Sequence, residues 1–326
     1  MRARPFSFYY YNEMVGYIIR RVLVSVPILL AVLTIVFLLV RVAPGDPAQA
    51  ILGDYASKEA VEALRERMGL NKPLWKQYIE FLRGLARGDL GRSMINGYPV
   101  AGQVAHALPY TLELTLSGII FGALIGIPLG IYTALRRNRL ADYMGRVLSL
   151  AGLSFPTFYL GILLILVFAV WLRLLPSVGG GDLHDLGDNL RHLVLPGLTL
   201  GLIMTSYVTR MSRSSILNVL NEDYVKTARS KGLRERIVIY KHVLKNALIP
   251  IISIIGVYSI VLIGGSLLVE IVFTRPGLGK MMVGAMLQRD YITMQSVMVI
   301  YAGFVVIINL ITDLAYAMVD PRIKYD

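Results

Sequence analysis

The sequence contains no cysteine and little charge. Without cysteine the 326 residues form no disulfide and offer no thiol chemistry. Charged residues make up only 17% of the chain, whereas hydrophobic residues make up 56% and the mean hydropathy is +0.62. A soluble domain of this size carries far more charge. The composition therefore predicts an integral membrane protein.

The apolar residues are grouped in long runs. A helix needs roughly 20 residues without a bare charge to cross about 30 Å of hydrocarbon. Six stretches meet or approach that length, and the fourth is the shortest: 22–40, 114–135, 147–172, 193–209, 247–269 and 291–312. Each must be helical, because lipid offers backbone N–H and C=O groups no partner outside the segment. The sequence predicts an all-α bundle of six transmembrane helices.

The formal net charge of +12 is distributed unevenly. Lysine and arginine are concentrated before the first span, after the sixth, and in the loops that follow the second and fourth spans. Basic residues are retained on the cytoplasmic side of a membrane. We therefore predict that both termini are cytoplasmic, and we expect no nucleic-acid partner, because topology explains the charge.

Four regions are expected along the chain. They are an N-terminal extension (1–15), the first transmembrane helix (16–42), an external loop (43–108) and a transmembrane core (109–326) with a cytoplasmic loop at 218–246. Met14 is an alternative start, and the first apolar run is too long for a signal peptide. In the external loop, Ser57 and Gly69 bound one predicted amphipathic helix, and Pro73 opens a second.

Four glycines of the second span share one helical face, at intervals of four residues: Gly118, Gly122, Gly126 and Gly130. Small residues at this spacing let two helix backbones approach closely within a membrane. We therefore predict tight helix packing along this face, against a neighbour in this chain or in a partner.

The loop at 218–246 contains a second pattern. Asn221 is the predicted N-cap of a short helix that Gly232 ends. Acidic residues in its first turn and basic residues in its last turn follow the order favoured by the helix dipole: Glu222, Asp223, Arg229 and Lys231. Tyr224, Ala228 and Gly232 fall at i, i+4 and i+8, which predicts a surface suited to a groove on another protein. A basic loop at lipid headgroups is the alternative.

A family resemblance starts in this loop. The run 223–233 reads DYVKTARSKGL, and 246–250 reads NALIP. It resembles the cytoplasmic coupling motif of binding-protein-dependent ABC importer permeases, in particular the first subunit type of the dipeptide/oligopeptide (and nickel) family. The resemblance implies that these residues contact an ATPase: Asp223, Tyr224, Lys226, Thr227, Ala228, Arg229, Lys231, Gly232 and Leu233. Further matches include 44–47 (PGDP), 276–279 (PGLG) and 321–322 (PR).

The resemblance also implies a fold, partners and a location. The fold is that of a type I ABC importer permease in the plasma or inner membrane of a bacterium or archaeon. The partners are a second homologous permease, two cytoplasmic ABC ATPases and an external solute-binding protein. The implied solute is a peptide, with an oligosaccharide or a chelated metal left open.

No enzyme chemistry is expected of this chain. It lacks the G-x-x-x-x-G-K-S/T loop that cradles phosphates, so ATP and Mg must be bound by partner subunits. The loop 182–192 contains three aspartates and two histidines, but their spacing matches no compact metal motif, and we predict a solvated loop without metal.

Glu113 and Asp313 lie near span ends and are candidate pathway residues, with solvation at the membrane interface as the alternative. Arg210 and Arg213 follow the fourth span and either extend to the headgroups or match arginines that precede the family's coupling loop. The rival functions are a self-sufficient secondary transporter or channel, and a membrane scaffold without a pathway.

Overall fold

The computed structural model describes residues 6–42, 47–53 and 55–319, which are almost entirely helical. The helices are α1 (Phe6–Val42), α2 (Pro47–Leu52), α3 (Lys58–Arg67), α4 (Leu74–Ala86), α5 (Val100–Leu135), α6 (Leu140–Ser154), α7 (Thr157–Leu164), α8 (Leu186–Leu220), α9 (Asp223–Ser230), α10 (Glu235–Ile237), α11 (Leu244–Val272), α12 (Leu278–Leu287) and α13 (Tyr291–Val319). Wider π-helical turns extend α7 to Trp171 and join α10 to α11. No β-strand occurs in these ranges, so the predicted all-α class is confirmed.

Within the described residues, five helices are long and apolar enough to cross a membrane: Ile19–Arg41, Val100–Leu135, Leu186–Leu220, Glu235–Val272 and Tyr291–Ala315. A sixth span is formed only if α6 and α7 are counted together, and they are bent by 104°. The predicted continuous helix over 147–172 is therefore wrong. Phe155 precedes Pro156 and is extended, with ψ at 135°, because a proline ring disfavours helical geometry in the residue before it.

The fourth predicted span, 193–209, is only the apolar middle of a much longer helix. α8 has 35 residues, which corresponds to about 52 Å. Asp185 caps its start by accepting hydrogen bonds from the backbone N–H groups of Gly187 and Asp188. Arg191, near the start of α8, and Arg210 and Arg213, near its end, interrupted the apolar run, so the sequence pattern underestimated the length of the helix.

The described chain divides into two compact units. Unit 1 comprises the described parts of 1–23, 111–275 and 307–326, and unit 2 comprises those of 24–110 and 276–306. The main hydrophobic core of unit 1 joins α5, α8 and α11, with Leu200, Met204 and Ile251 completely buried.

The four glycines of α5 face α8 within unit 1. Gly118, Gly122, Gly126 and Gly130 oppose Leu200, Met204, Val208 and Ser212 in the same order, so both helices repeat every four residues. A Cβ on Gly118 would lie 2.7 Å from Leu200, and one on Gly126 would lie 2.8 Å from Val208. These separations are shorter than van der Waals contact, so only glycine allows the two backbones to approach this closely.

Unit 2 contains the two amphipathic helices that the sequence predicted. Ser57 accepts a hydrogen bond from the N–H of Ala60 at the start of α3, as expected. α4 packs on α1, where the Tyr78 hydroxyl lies 2.6 Å from Thr34 Oγ1 and the Phe37 and Tyr78 rings meet edge to face. The sequence analysis missed α12 and also α2, which has only six residues and is too short for a clear periodic pattern. The PGDP turn at 44–47 lies outside the described residues except for its last proline.

A buried carboxylate connects distant parts of unit 2. Asp290 accepts hydrogen bonds from the Ser93 hydroxyl, the Thr293 hydroxyl and the backbone N–H of Met94. The segment before α5 is thereby attached to the beginning of α13, nearly 200 residues later in the chain.

The glycine contact gives a testable expectation for stability. Gly122→Ala should lower the melting temperature of the purified protein, because the new methyl group overlaps Met204 and the backbones must separate; overpacking of this kind typically costs about 1–3 kcal/mol. Gly102→Ala, on the same helix, meets nothing within 4 Å and should preserve or raise the melting temperature. Equal melting temperatures for the two variants would contradict the proposed close contact.

Candidate functional site

The short helix predicted in the loop at 218–246 is α9. Its N-cap position is held by Glu222, in extended geometry and without a side-chain hydrogen bond, so the predicted cap at Asn221 is wrong. α8 continues to Leu220, and the Asn221 amide instead donates to the carbonyl of Leu217, 3.1 Å away. Gly232 has a φ of +75° just after the helix, a left-handed conformation that explains why glycine ends it.

The two faces of α9 differ from the predicted surface. Val225 and Ala228 are buried against the core of unit 1, which also contains Val238 and Val243. Ala228 therefore does not share an exposed face with Tyr224, and that part of the prediction is wrong. Val225 and Ala228 are three positions apart, so they lie on the same face of α9, and this face is the buried one.

The remaining family-matched positions of this segment are exposed: Asp223, Tyr224, Lys226, Thr227, Arg229, Lys231, Gly232 and Leu233. Lys226 donates to Asp223 at 2.8 Å, and this hydrogen bond holds the pKa of the Asp223 carboxyl below its usual value. The exposed side of α9 thus presents a mostly basic surface with one aromatic ring.

Two polar contacts attach α9 to the next two helices, one to α10 and one to α11. The Asn246 amide, in the first turn of α11, donates to the Tyr224 hydroxyl at 2.7 Å. The Arg229 guanidinium donates to both carboxylate oxygens of Glu235, at 2.6 and 3.2 Å, and this pairing raises the pKa of Arg229. Planar, two-bond pairing of this kind fixes orientation as well as distance. The two contacts therefore connect α9 to both α10 and α11.

A buried carboxylate joins α6 to the C-terminal part of α8, near the end that α9 follows. Asp142 is completely buried and accepts hydrogen bonds from Arg213 Nε at 2.6 Å and Nη2 at 2.9 Å. It also accepts from the backbone N–H of Asn138, which has a positive φ of 62° in the turn before α6. Arg213 is thus a structural partner of Asp142 and does not simply extend to lipid headgroups. The sequence analysis had no signal for this pair, which is separated by 71 residues.

Glu113 belongs to a second ionic cluster, at the other end of α8. Arg275 is completely buried and donates to Glu113 Oε2 at 2.8 Å, to the Gly180 carbonyl at 3.1 Å and to Asn189 Oδ1 at 3.4 Å. Asn189 in turn donates to Glu113. Asn189 and Arg213 are 24 positions apart on α8, which corresponds to about 36 Å. The two clusters therefore lie near opposite ends of this helix.

The other candidate pathway residue is also paired. Asp313 lies 3.1 Å from the Arg21 guanidinium, so α13 is connected to α1 within unit 1. Neither Glu113 nor Asp313 lines a described cavity. Both carboxylates hold helices together in this conformation.

The acidic residues around the start of α8 have local backbone roles, and residues 186–192 of the predicted loop are helical. Asp182 accepts from the N–H of His184, Asp185 caps α8, and Asp188 accepts from the N–H of Asp182. His192 lies 3.3 Å from Asp188. Among the described residues no group of three or more potential ligands is arranged to hold a metal ion.

Unit 1 also contains a cavity of about 520 Å³ that the sequence analysis missed. It lies between α6, α8 and α11, and its lining residues are Arg146, Leu150, Tyr207, Arg210, Met211, Arg213, Ser214, Ile254 and Tyr258. The sequence analysis explained Arg146 by topology, and it left Arg210 and Arg213 either to extend to the headgroups or to match arginines that precede the family's coupling loop. A separate cavity of about 650 Å³ in unit 2 is lined mainly by α5 and α12.

Two family models match the chain. The model for the binding-protein-dependent transport system inner membrane component matches residues 126–325, and the model for the N-terminal part of that component matches residues 14–115. Together they cover nearly the whole sequence apart from its first 13 residues.

Curated relatives match this chain over their full length. The dipeptide transport system permease protein DppB of Alkalihalophilus pseudofirmus is 38% identical, and the alignment covers 96% of this chain and all of that protein. The glutathione transport system permease protein GsiC is 40% identical in Escherichia coli O6:H1 and in Salmonella paratyphi A, again over 96% of this chain and all of each relative.

Solved structures support the fold. An inward-facing structure of the MetNI methionine ABC transporter matches with a TM-score of 0.54 at 19% identity, over 67% of this chain and 96% of that chain. An amino acid ABC transporter crystallised with histidines matches with a TM-score of 0.51 at 16% identity, over 67% and 94%. The type I ABC importer permease fold is confirmed, and the chain belongs to the family of binding-protein-dependent transport system inner membrane components.

Proposed function

We propose that this chain is a permease subunit of an ATP-driven importer for peptides or closely related small solutes. The names of its relatives support this substrate class, since dipeptides and glutathione are both peptides with free carboxylates. In this proposal the chain supplies half of the translocation path and pairs with a second homologous permease. An external binding protein delivers the solute, and the complex lies in a bacterial or archaeal inner membrane.

The attachment of α9 to α11 is the observation that carries the proposal. α9 presents an exposed basic surface, and two polar contacts connect it to α10 and α11. We infer that this surface docks on one of two cytoplasmic ABC ATPases, which bind ATP and Mg. Movement of the ATPase would displace α9, and the Tyr224–Asn246 and Arg229–Glu235 contacts would pass that displacement to a membrane-spanning helix.

The sidedness of the helices follows from the same proposal. α9 and the Asp142–Arg213 pair lie at the end of α8 that we assign to the cytoplasm, together with most of the basic residues of the neighbouring loops. The cluster of Glu113, Asn189 and Arg275 then lies toward the outer surface. This arrangement agrees with the retention of lysine and arginine on the cytoplasmic side.

A self-sufficient secondary transporter fits the structure less well. Proton or ion coupling uses ionisable groups that change partner or protonation within the membrane. Glu113 and Asp313 are instead held in ion pairs with Arg275 and Arg21. We therefore assign the energy source to the partner ATPases.

Reconstitution tests the proposed energy source. Liposomes that contain both permease chains and the ATPases should accumulate trialanine when its binding protein and ATP are supplied, because the chain itself provides no site for nucleotide. A non-hydrolysable ATP analogue should abolish accumulation. Uptake by this chain alone, driven by an ion gradient, would contradict the proposal and favour a secondary transporter.

The two contacts of α9 give a more specific expectation. Combining Glu235→Gln with Asn246→Ala should leave the ATPases bound and active but reduce the solute imported per ATP hydrolysed, because both substitutions break the contacts of α9 from the side of α10 and α11. Exposed contacts of this kind contribute up to about 1 kcal/mol each. The loss of each contact should therefore change the ratio of solute imported to ATP hydrolysed by up to about fivefold. The measurement is uptake and phosphate release in the same proteoliposomes.

Lys241→Gln provides the matched control. Lys241 is an exposed basic residue in the same region. This variant should retain the parent ratio of uptake to hydrolysis. A double variant that also retains the parent ratio would show that the two contacts transmit nothing.

A further inference from the structure

The cavity between α6, α8 and α11 has no role in the coupling mechanism described above. Its volume of about 520 Å³ falls within the range of roughly 300–1,000 Å³ that small-molecule pockets occupy. All its lining residues belong to unit 1. Its size suits a short peptide or a comparable solute.

Positive charge dominates the lining. Arg146, Arg210 and Arg213 all line the cavity, and no carboxylate of the described residues does. Asp142 is the acidic partner of two of these arginines, because it accepts two hydrogen bonds from Arg213 and lies 3.6 Å from Arg146. One carboxylate among three guanidinium groups leaves two positive charges uncompensated.

Two of the arginines retain unused donors. Arg210 makes no ion pair or hydrogen bond within the described part of the chain, and its side chain is exposed to the cavity. The Nε atom of Arg146 is buried and makes no hydrogen bond among the described residues, because Asp142 Oδ1, at 3.6 Å, is too distant and already accepts from Arg213. A buried donor without an acceptor is unfavourable, and a guanidinium group matches the planar oxygens of a carboxylate or phosphate. Both observations indicate a missing oxyanion.

The lining of the cavity also includes apolar and aromatic residues. The rings of Tyr207 and Tyr258 stack with centroids 3.5 Å apart, connecting α8 to α11. Leu150 and Ile254 add aliphatic side chains to the lining. The lining therefore combines oxyanion recognition with a surface for an uncharged body, which is the chemistry of a peptide carboxyl terminus.

We propose that this cavity is an oxyanion site that receives the carboxylate of the solute during import. The assignment deepens the proposed function and rests on it for the identity of the solute. Tyr258 and Ile254 lie on α11, the helix to which α9 is attached, so displacement of α9 changes the wall of the cavity. Nucleotide-driven movement would then weaken the site and release the solute toward the cytoplasm.

The charge of the site is tested with a single introduced thiol. The parent chain contains no cysteine, so Ser214→Cys in the assembled complex gives one label position in this chain at the cavity. The rates of a negatively charged sulfonate thiosulfonate reagent and a positively charged trimethylammonium one are measured, each relative to its rate with free mercaptoethanol. We expect the anionic reagent to be favoured by about tenfold, the lower end of electrostatic focusing in clefts.

Two background variants determine the source of this preference. Arg210→Gln should reduce the preference for the anionic reagent several-fold. Arg137→Gln changes an exposed arginine that does not line the cavity and should preserve the preference. Equal rates for the two reagents in the parent, or equal preferences in Arg210→Gln and Arg137→Gln, would overturn the oxyanion site.

Transport measurements test the solute carboxylate. Proteoliposomes with Arg210→Gln should lose uptake of trialanine more than uptake of trialanine amide, with each probe compared with the parent complex, and Arg210→Lys should restore part of the difference. Equal losses for the two probes would overturn the assignment to the solute carboxylate. Protection of the Ser214→Cys thiol by phosphatidylglycerol but not by trialanine would overturn it in favour of a lipid headgroup.

The same assays separate this inference from the proposed function. If the parent complex imports neither peptide, the peptide importer proposal fails, and the carboxylate assignment fails with it. The reagent preference at Ser214→Cys does not depend on transport and would still identify an anion site. Import of both peptides without a reagent preference would instead preserve the importer and remove the site.

Discussion

The close contact between α5 and α8 is the constraint on which the rest of unit 1 depends. Lipid supplies no hydrophobic drive for helices to associate, so their contact relies on packing and on interhelical hydrogen bonds. Glycine at every fourth position of α5 lets Leu200, Met204, Val208 and Ser212 approach its backbone. The Thr209 hydroxyl donates to the Gly126 carbonyl within this contact. With α8 fixed along its length, residues near its two ends are held at a defined separation.

Each end of α8 carries a different polar arrangement. Near its start, Arg275 binds Glu113 and Asn189, and so ties the chain that follows α11 to α5 and α8. Near its end, Asp142 binds Arg213 and ties α6 to α8. Removing one partner from a buried ion pair strands a charge and typically costs about 3–5 kcal/mol. If α9 moves with the ATPase as we propose, that motion is expected to preserve these ion pairs and to change the exposed contacts of α9 and the stacking of Tyr207 on Tyr258.

Most spans were predictable from sequence because length and hydropathy alone decide whether a helix crosses lipid. The glycine spacing also indicated a packing face, although it did not identify α8 as the neighbour. The break at Pro156, the pairing of Asp142 with Arg213 and the burial of Ala228 were not predictable in this way. The last two depend on residues distant in sequence, and Pro156 lay inside an apolar run that resembled one continuous helix. The local sequence pattern identified the helices, whereas contacts with distant residues determined which face of each helix is buried.

Arginines near the cytoplasmic ends of spans have a general explanation in membrane topology, and that explanation is insufficient for Arg210 and Arg146. Topology requires only that positive charge remains on one side, and an arginine that serves only this purpose can extend to the headgroups. These two side chains instead line a cavity beside stacked tyrosines, and Arg146 keeps a buried donor that makes no hydrogen bond among the described residues. The uncompensated positive charge of these arginines at the cavity raises the free energy of the empty cavity. An oxyanion would lower that energy, so the same residues that orient the helices also favour a solute of opposite charge.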